Sequence, residues 1–104
     1  MARLIITYTL KPGVTDAEYQ DWVRTTDYPT MRGITRISSY VNHHVTKRMM
    51  GEGPLPFTYM ELFDVPDLDG FLAEDMGSSA VQGILAHFMA HVENPDFLVA
   101  EDIA

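Results

Sequence analysis

FTYMELFDV, residues 57–65, is apolar on both sides of an extended chain. Successive side chains on a strand point to opposite faces. Phe57, Tyr59 and Phe63 therefore share one face, and Met60 and Leu62 the other. RLIITYTL (3–10), rich in β-branched and aromatic residues, behaves the same way, with Leu4, Ile6, Tyr8 and Leu10 opposing Ile5. One helical layer covers one sheet face and leaves the other as an exposed apolar patch. The simplest cover is a second sheet, so the pattern predicts a homodimer with sheets packed face to face.

Working outward, KPG (11–13) is turn chemistry, and TDAE (15–18) is a capping box with Thr15 as N-cap and Glu18 at the third helical position. The spacing predicts a helix to about Asp27, ending before Pro29. Residues 33–50 read as a long extended segment, and GEGPLP (51–56) as a loop. PDLDGFLAEDM (66–76) opens a second helical region. It continues through 78–92 with Ser79 and Gln82 as a second capping box and Val81, Ile84, Leu85, Phe88 and Val92 as its apolar stripe. NPD (94–96) is expected to turn the chain into a last strand, 97–103. The order βαββαβ is that of an α+β, ferredoxin-like domain spanning residues 1–104.

Composition narrows the function. With 104 residues the chain makes one domain with a modest core. It has no cysteine, which removes disulfides, thiolate nucleophiles and Cys-ligated metals and suits a cytoplasmic location. All seven Lys and Arg lie at or before Arg48 with four acids, and the other eleven acids follow it, so the two parts carry +3 and −11. No nucleic-acid partner is expected with so little, and such scattered, positive charge. No apolar run approaches the ~18 residues of a membrane span, and the opening MARLIITYTL is not read as a signal peptide.

Asp27 is the first candidate for chemistry. Tyr19, Val23 and Asp27 recur every four residues, on the apolar helix side that also holds Trp22. A carboxylate there, at an expected helix C-terminus, has its pKa raised by burial and by the dipole, which suits general acid–base work. The alternative is a solvent-facing Asp27 paired with Arg24. A second constellation is the alternating array Arg36, Ser38, Tyr40, Asn42 and His44, opposed by Ile37, Val41, His43 and Val45. His44 thus joins the polar face and His43 the apolar one. A tight turn at 51–56 would set His44 opposite about Phe63, near Asp27; a longer loop would carry it toward the helix start. Tyr8, Tyr59 and Glu61 are candidates to line a cavity, with Tyr19 and Trp22 from the helix. His87 and His91, four apart on a helix, lack a third ligand, so no metal is expected; His87 is the likelier pocket residue of the two. No nucleotide-binding or nucleophile-elbow motif is present, and no cofactor is expected.

AEYQDWVRTTDYPTMRGITRISSY (17–40) and TYMELFDVPDLDGFLAEDMGSSAVQGILAHFMAHVENPDFL (58–98) resemble the dimeric α/β-barrel proteins, which include EthD-like proteins. More closely, nearly the whole chain looks like the RedY-like protein HapK group of prodiginine (tripyrrole pigment) biosynthesis. The resemblance implies a cyclisation or dehydration of a pyrrole-bearing intermediate on the bipyrrole branch. A non-catalytic shielding protein for a reactive pyrrole and a cofactor-free monooxygenase are the alternatives. EthD-like proteins usually carry a histidine where this chain has Asp27, so a carboxylate takes that place. The expected site is then Asp27, His44 and His87 for catalysis, with Tyr8, Tyr19, Trp22, Arg36, Tyr40, Tyr59 and Glu61 around the substrate.

Overall fold

The structure, a computed structural model, describes residues 2–104. Strand β1 (Ala2–Leu10) leads to α1 (Asp16–Trp22), a π-helical turn (Val23–Asp27) and α2 (Tyr28–Arg32). Strands β2 (Ser39–His44) and β3 (Tyr59–Asp64) follow, then α3 (Leu68–Gly70), a second π-helical turn (Phe71–Asp75), α4 (Ser79–His91) and β4 (Val92–Glu101). The sheet order is β2-β3-β1-β4 with every neighbouring pair antiparallel, and this is the ferredoxin-like α+β fold. Among the described residues, no helix is long and apolar enough to cross a membrane.

Local chemistry sets the helix starts. Thr15 accepts from Glu18 N–H (3.2 Å) while Glu18 accepts from Thr15 N–H (2.8 Å), so two donors the helix leaves unpaired are satisfied reciprocally. At the start of α4 the cap is Ser78, one residue before the expected Ser79, and accepts from Val81 N–H. Gln82 does not close a box there but donates to Met76 O at 2.6 Å.

Four points left by the sequence are resolved, three as corrections and the β2–β3 connection as a choice between the two loop lengths. The first helical stretch does not stop before Pro29 but runs to Arg32. Tyr28 N–H bonds Val23 O, five residues back, so the hydrogen-bond ladder changes register immediately before the proline, which has no N–H to contribute. Asp27 is consequently mid-helix, without a C-terminal dipole acting on it. Second, the extended segment 33–50 forms a strand only over Ser39–His44, because Gly33, Ile34 and Ile37 N–H groups fold back on Thr30, Met31 and Ile34. Third, the β2–β3 connection is long: His44 pairs with Tyr59, not with Phe63. Fourth, NPD does not turn the chain. It lies inside β4 as a bulge, with Thr7 opposite Asp96 and Thr9 opposite Glu93. Asn94 takes a left-handed φ of 53°, and Pro95, lacking a donor, is tolerated on this edge strand.

Register places the two faces. Toward the helices point the cross-strand rows Tyr40–Phe63–Leu4, Asn42–Glu61–Ile6 and His44–Tyr59–Tyr8. One core cluster (Met31, Ile37, Tyr40, Phe63, Val65, Phe71, Val81) and a second (Tyr8, Tyr19, Val23, Tyr59, Phe88, Val92) fill the space under the helices. The opposite face is bare of helices and carries the apolar row Val41–Leu62–Ile5–Leu98, whose ends are about half exposed.

Candidate functional site

Two acids lie buried in this core, Asp27 at 2% and Glu61 at 5% exposure. Asp27 reaches the sheet because of the π turn. Steps of four drift by about 40° each on an α-helix of 3.6 residues per turn. The wider π turn takes up that drift, and Tyr19, Val23, Asp27 and Met31 all stay buried. Glu61 enters from the centre of β3, whose alternation gives Tyr59, Glu61 and Phe63 as its buried face.

Tyrosine hydroxyls hold the two carboxyls. Tyr40 donates a short hydrogen bond to Asp27, and Glu61 lies near enough to act electrostatically on both. Tyr8 donates to Glu61 Oε2 at 2.7 Å. With its only proton so committed, the Tyr8 oxygen accepts from Tyr19 OH (2.5 Å) and Asn42 Nδ2 (2.8 Å). The tyrosine rings support one another: Tyr8 stacks on Tyr59 at 5.6 Å between ring centres, and Tyr40 on Phe63 at 4.0 Å.

Burial sets the protonation. Desolvation pushes Asp27 up to about 6, against the opposing pull of the Tyr40 hydrogen bond and the nearby Arg32. Desolvation, reinforced by the Asp27 charge, pushes Glu61 up to about 8. Asp27 is the acid held lower, since Arg32 acts on it and it receives the Tyr40 hydroxyl proton. Near neutrality the pair therefore carries one negative charge, on Asp27, and one acidic proton, on Glu61. Burial also drives the hydroxyls of Tyr8, Tyr19 and Tyr40 above their ordinary range, so they stay protonated donors.

Beside this network a cleft of about 150 Å³ opens between α1 and β2, lined by Gln20, Val23, Arg24, Tyr28, Asn42, His43, His44 and Tyr59. Tyr28 OH fixes its floor by accepting from Asn42 N–H at 2.9 Å. Gln20 Nε2 donates to Tyr59 OH (3.2 Å) and contacts His44 Nδ1 (3.3 Å). Tyr59 OH donates to Asp16 at 2.7 Å, and burial with this bond pushes its pKa up to about 12. A separate, almost wholly apolar cavity of about 100 Å³ lies under α4, walled by residues such as Ile6, Phe63, Phe71, Ile84 and Phe97.

The expected site residues are thus only partly brought together. Asp27, Tyr40, Glu61, Tyr8 and Tyr19 form one network, with Tyr59 beside it. Asp27 neither faces water nor pairs with Arg24, whose side chain donates instead to Gln20. His44 stands at the start of α1, 3.7 Å from Asp16, stacked on Tyr59 and away from Asp27, as the long hairpin loop dictates. His87 is outside, stacked between Trp22 (4.1 Å) and His91 (4.0 Å), with burial and His91 lowering its pKa. Arg36 is not in the strand array. It sits in the turn before β2, bound to Asp67, Glu74 and Asp75 at 2.9–3.3 Å. Tyr28, Gln20 and Asp16 are site neighbours that the sequence reading did not single out, and Asn42 entered it only by its place in the alternating array. Among the described residues, no three His, Cys, Asp or Glu are grouped to hold a metal ion.

Comparison with known proteins adds the family. The family model described as REDY-like protein HapK matches residues 2–103. The chain belongs to this family. No curated protein sequence matches it. HapK from Hahella chejuensis has a similar crystal structure, with TM-score 0.81, 22% identity, and 99% of this chain and 93% of that one covered. An ethyl tert-butyl ether D (EthD) family protein from Bacillus halodurans superposes with TM-score 0.74 at 16% identity, covering 99% and 100%. A dimeric ferredoxin-like protein of unknown function from Thermobifida fusca gives TM-score 0.73 at 16% identity, covering 95% and 88%. At these identities the superpositions establish the fold that the HapK family shares, and leave its chemistry to the residues of each chain.

Proposed function

We propose that this protein is a cofactor-independent enzyme of prodiginine biosynthesis, a cytoplasmic homodimer that cyclises and dehydrates a pyrrole-bearing intermediate on the bipyrrole branch. Membership of the HapK family supports the pathway. The observation that carries the chemistry is the buried pair Asp27 and Glu61, one carboxylate and one carboxylic acid, each held by a tyrosine hydroxyl. Loss of water needs a base and an acid at once. Ionised Asp27 takes the proton beside the substrate carbonyl, and protonated Glu61 gives its proton to the departing hydroxyl, which leaves as water. The two acids have then exchanged protonation states, and proton transfer between them restores the starting pair. Val23 lines the cleft at one end of the π turn and Asp27 lies at the other, so opening of this turn is the route by which substrate reaches the pair.

The near-complete burial of both acids favours a second reading, a binding protein that shields a reactive pyrrole without transforming it. The substitution Asp27→Asn separates the two. With a pyrrole-bearing amino-ketone as substrate, the enzyme reading expects turnover to fall by roughly 10²–10⁴-fold with binding retained. Turnover at the wild-type rate refutes catalysis by Asp27. Oxygen uptake during the same reaction would mark a monooxygenase instead.

A further inference from the structure

We infer that the cleft between α1 and β2 selects a heterocyclic acid, seating a ring N–H on Asn42 Oδ1 and a carboxylate on Arg24. This rests on the reading of that cleft as the substrate entrance and specifies what enters it.

Asn42 lines the cleft, and its Oδ1 has no hydrogen-bond partner and no exposed surface, so a ligand reaches it only with the opening of the π turn. Its orientation is set from behind. Tyr8 gives its one proton to Glu61 and so can only accept from Asn42, which turns Nδ2 inward and leaves Oδ1 as the free acceptor. Backbone contacts to Tyr28 on both the N–H and the C=O of Asn42 hold the residue there. A buried acceptor left unmatched is costly, so the site favours a ligand that brings a donor and disfavours an isostere without one. Arg24, on the same cleft, has no carboxylate partner among the described residues and touches only Gln20 at 3.4 Å. Asp16, near His44 and Tyr59 at the other end of the arrangement, repels an anion there and so orients an acid toward Arg24. Val23, Tyr28 and Tyr59 supply the walls for a flat ring. The volume is about five waters' share of the liquid, which suits one five-membered ring with its carboxylate.

Calorimetric titration of three small probes tests this: pyrrole-2-carboxylate, thiophene-2-carboxylate (no N–H) and pyrrole-2-carboxamide (no charge). On the wild-type protein, the first should bind on the order of tenfold more tightly than either of the others. The thiophene comparison tests the Asn42 contact without altering a residue that also braces Tyr8. Arg24→Gln should abolish the preference for acid over amide and keep that for pyrrole over thiophene. Equal binding of the pyrrole and thiophene acids, retention of the acid preference in Arg24→Gln, or no binding of pyrrole-2-carboxylate would each overturn the inference. None of these readouts involves turnover. An Asp27→Asn variant with full activity would therefore defeat the catalytic reading while leaving this selectivity intact, and the reverse holds as well.

Discussion

At the scale of single residues, the unusual feature is an acid in the middle of a strand that faces the core. Glu61 binds more protons folded than unfolded, because its pKa rises from 4.5 to about 8 on burial. Stability therefore falls as pH rises between those values. Asp27 acts in the same sense between 3.8 and about 6. Asp67 and Asp102, held low chiefly by hydrogen bonds, work in the opposite sense in the more acid range, and His87, held low by burial and by His91, opposes the trend near neutrality without the deep burial of Glu61. Denaturant unfolding should accordingly show greater stability at pH 5 than at pH 8. Glu61→Gln copies the protonated acid, with an oxygen for Tyr8 and no titrating proton, and should flatten that slope by stabilising the pH 8 protein by a few kcal/mol. Parallel pH curves for variant and wild type would contradict it. Asp27→Asn should likewise keep or raise stability, since it removes a desolvated charge.

Secondary elements carry the corrections that matter for the site. A straight α-helix ending before Pro29 would have put Asp27 at a frayed end; the π turn instead continues the helix and holds the carboxyl against Tyr40. Deleting Thr25 should return the turn to α-helical register and leave Asp27 within about 30° of its present direction, because the π turn absorbs one extra residue. Its pKa should therefore stay above the ordinary carboxylate range, which NMR titration of the side chain would report; a fall into that range would refute this. On β4 the bulge requires Asn94 at φ 53°. Asn94→Ala should cost about 1–2 kcal/mol, whereas Asn94→Gly should be nearly neutral. Equal stability of the two variants would show that the bulge does not impose this conformation.

For the whole molecule, the helix-free sheet face is the main surface without an internal cover. Val41, Leu62, Ile5 and Leu98 run across all four strands, and the Thermobifida fusca relative of this fold is dimeric. We propose the face-to-face homodimer on that basis. Sedimentation at micromolar concentration should give twice the 11.7 kDa chain mass. Leu62→Glu, a charge placed at the centre of the row, should abolish the dimer and leave protein that unfolds or aggregates; a dimer unaffected by it places the interface elsewhere.

The sequence by itself determined the element order, the ferredoxin-like topology, the alternation that turns Tyr40, Asn42 and His44 to one face, and the first helix cap. Each of these depends on spacing of two, three or four residues, and local geometry reads such spacing directly. Burial of Asp27 was legible too, from its phase with Tyr19 and Val23, although one of the two reasons given for its raised pKa, the helix dipole, depended on a terminus that is not there. Only the tertiary structure decided which acids and hydroxyls meet. Strand register, set by a hairpin loop whose length no periodicity reveals, moved His44 to Tyr59 and put Asn42 beside Glu61. Arg36 left the array for three acids of distant turns, and His87 turned to Trp22 of α1. Asp27 and Glu61 are 34 residues apart in the chain. Their electrostatic pairing exists only once helix and sheet have packed and water has been removed from between them.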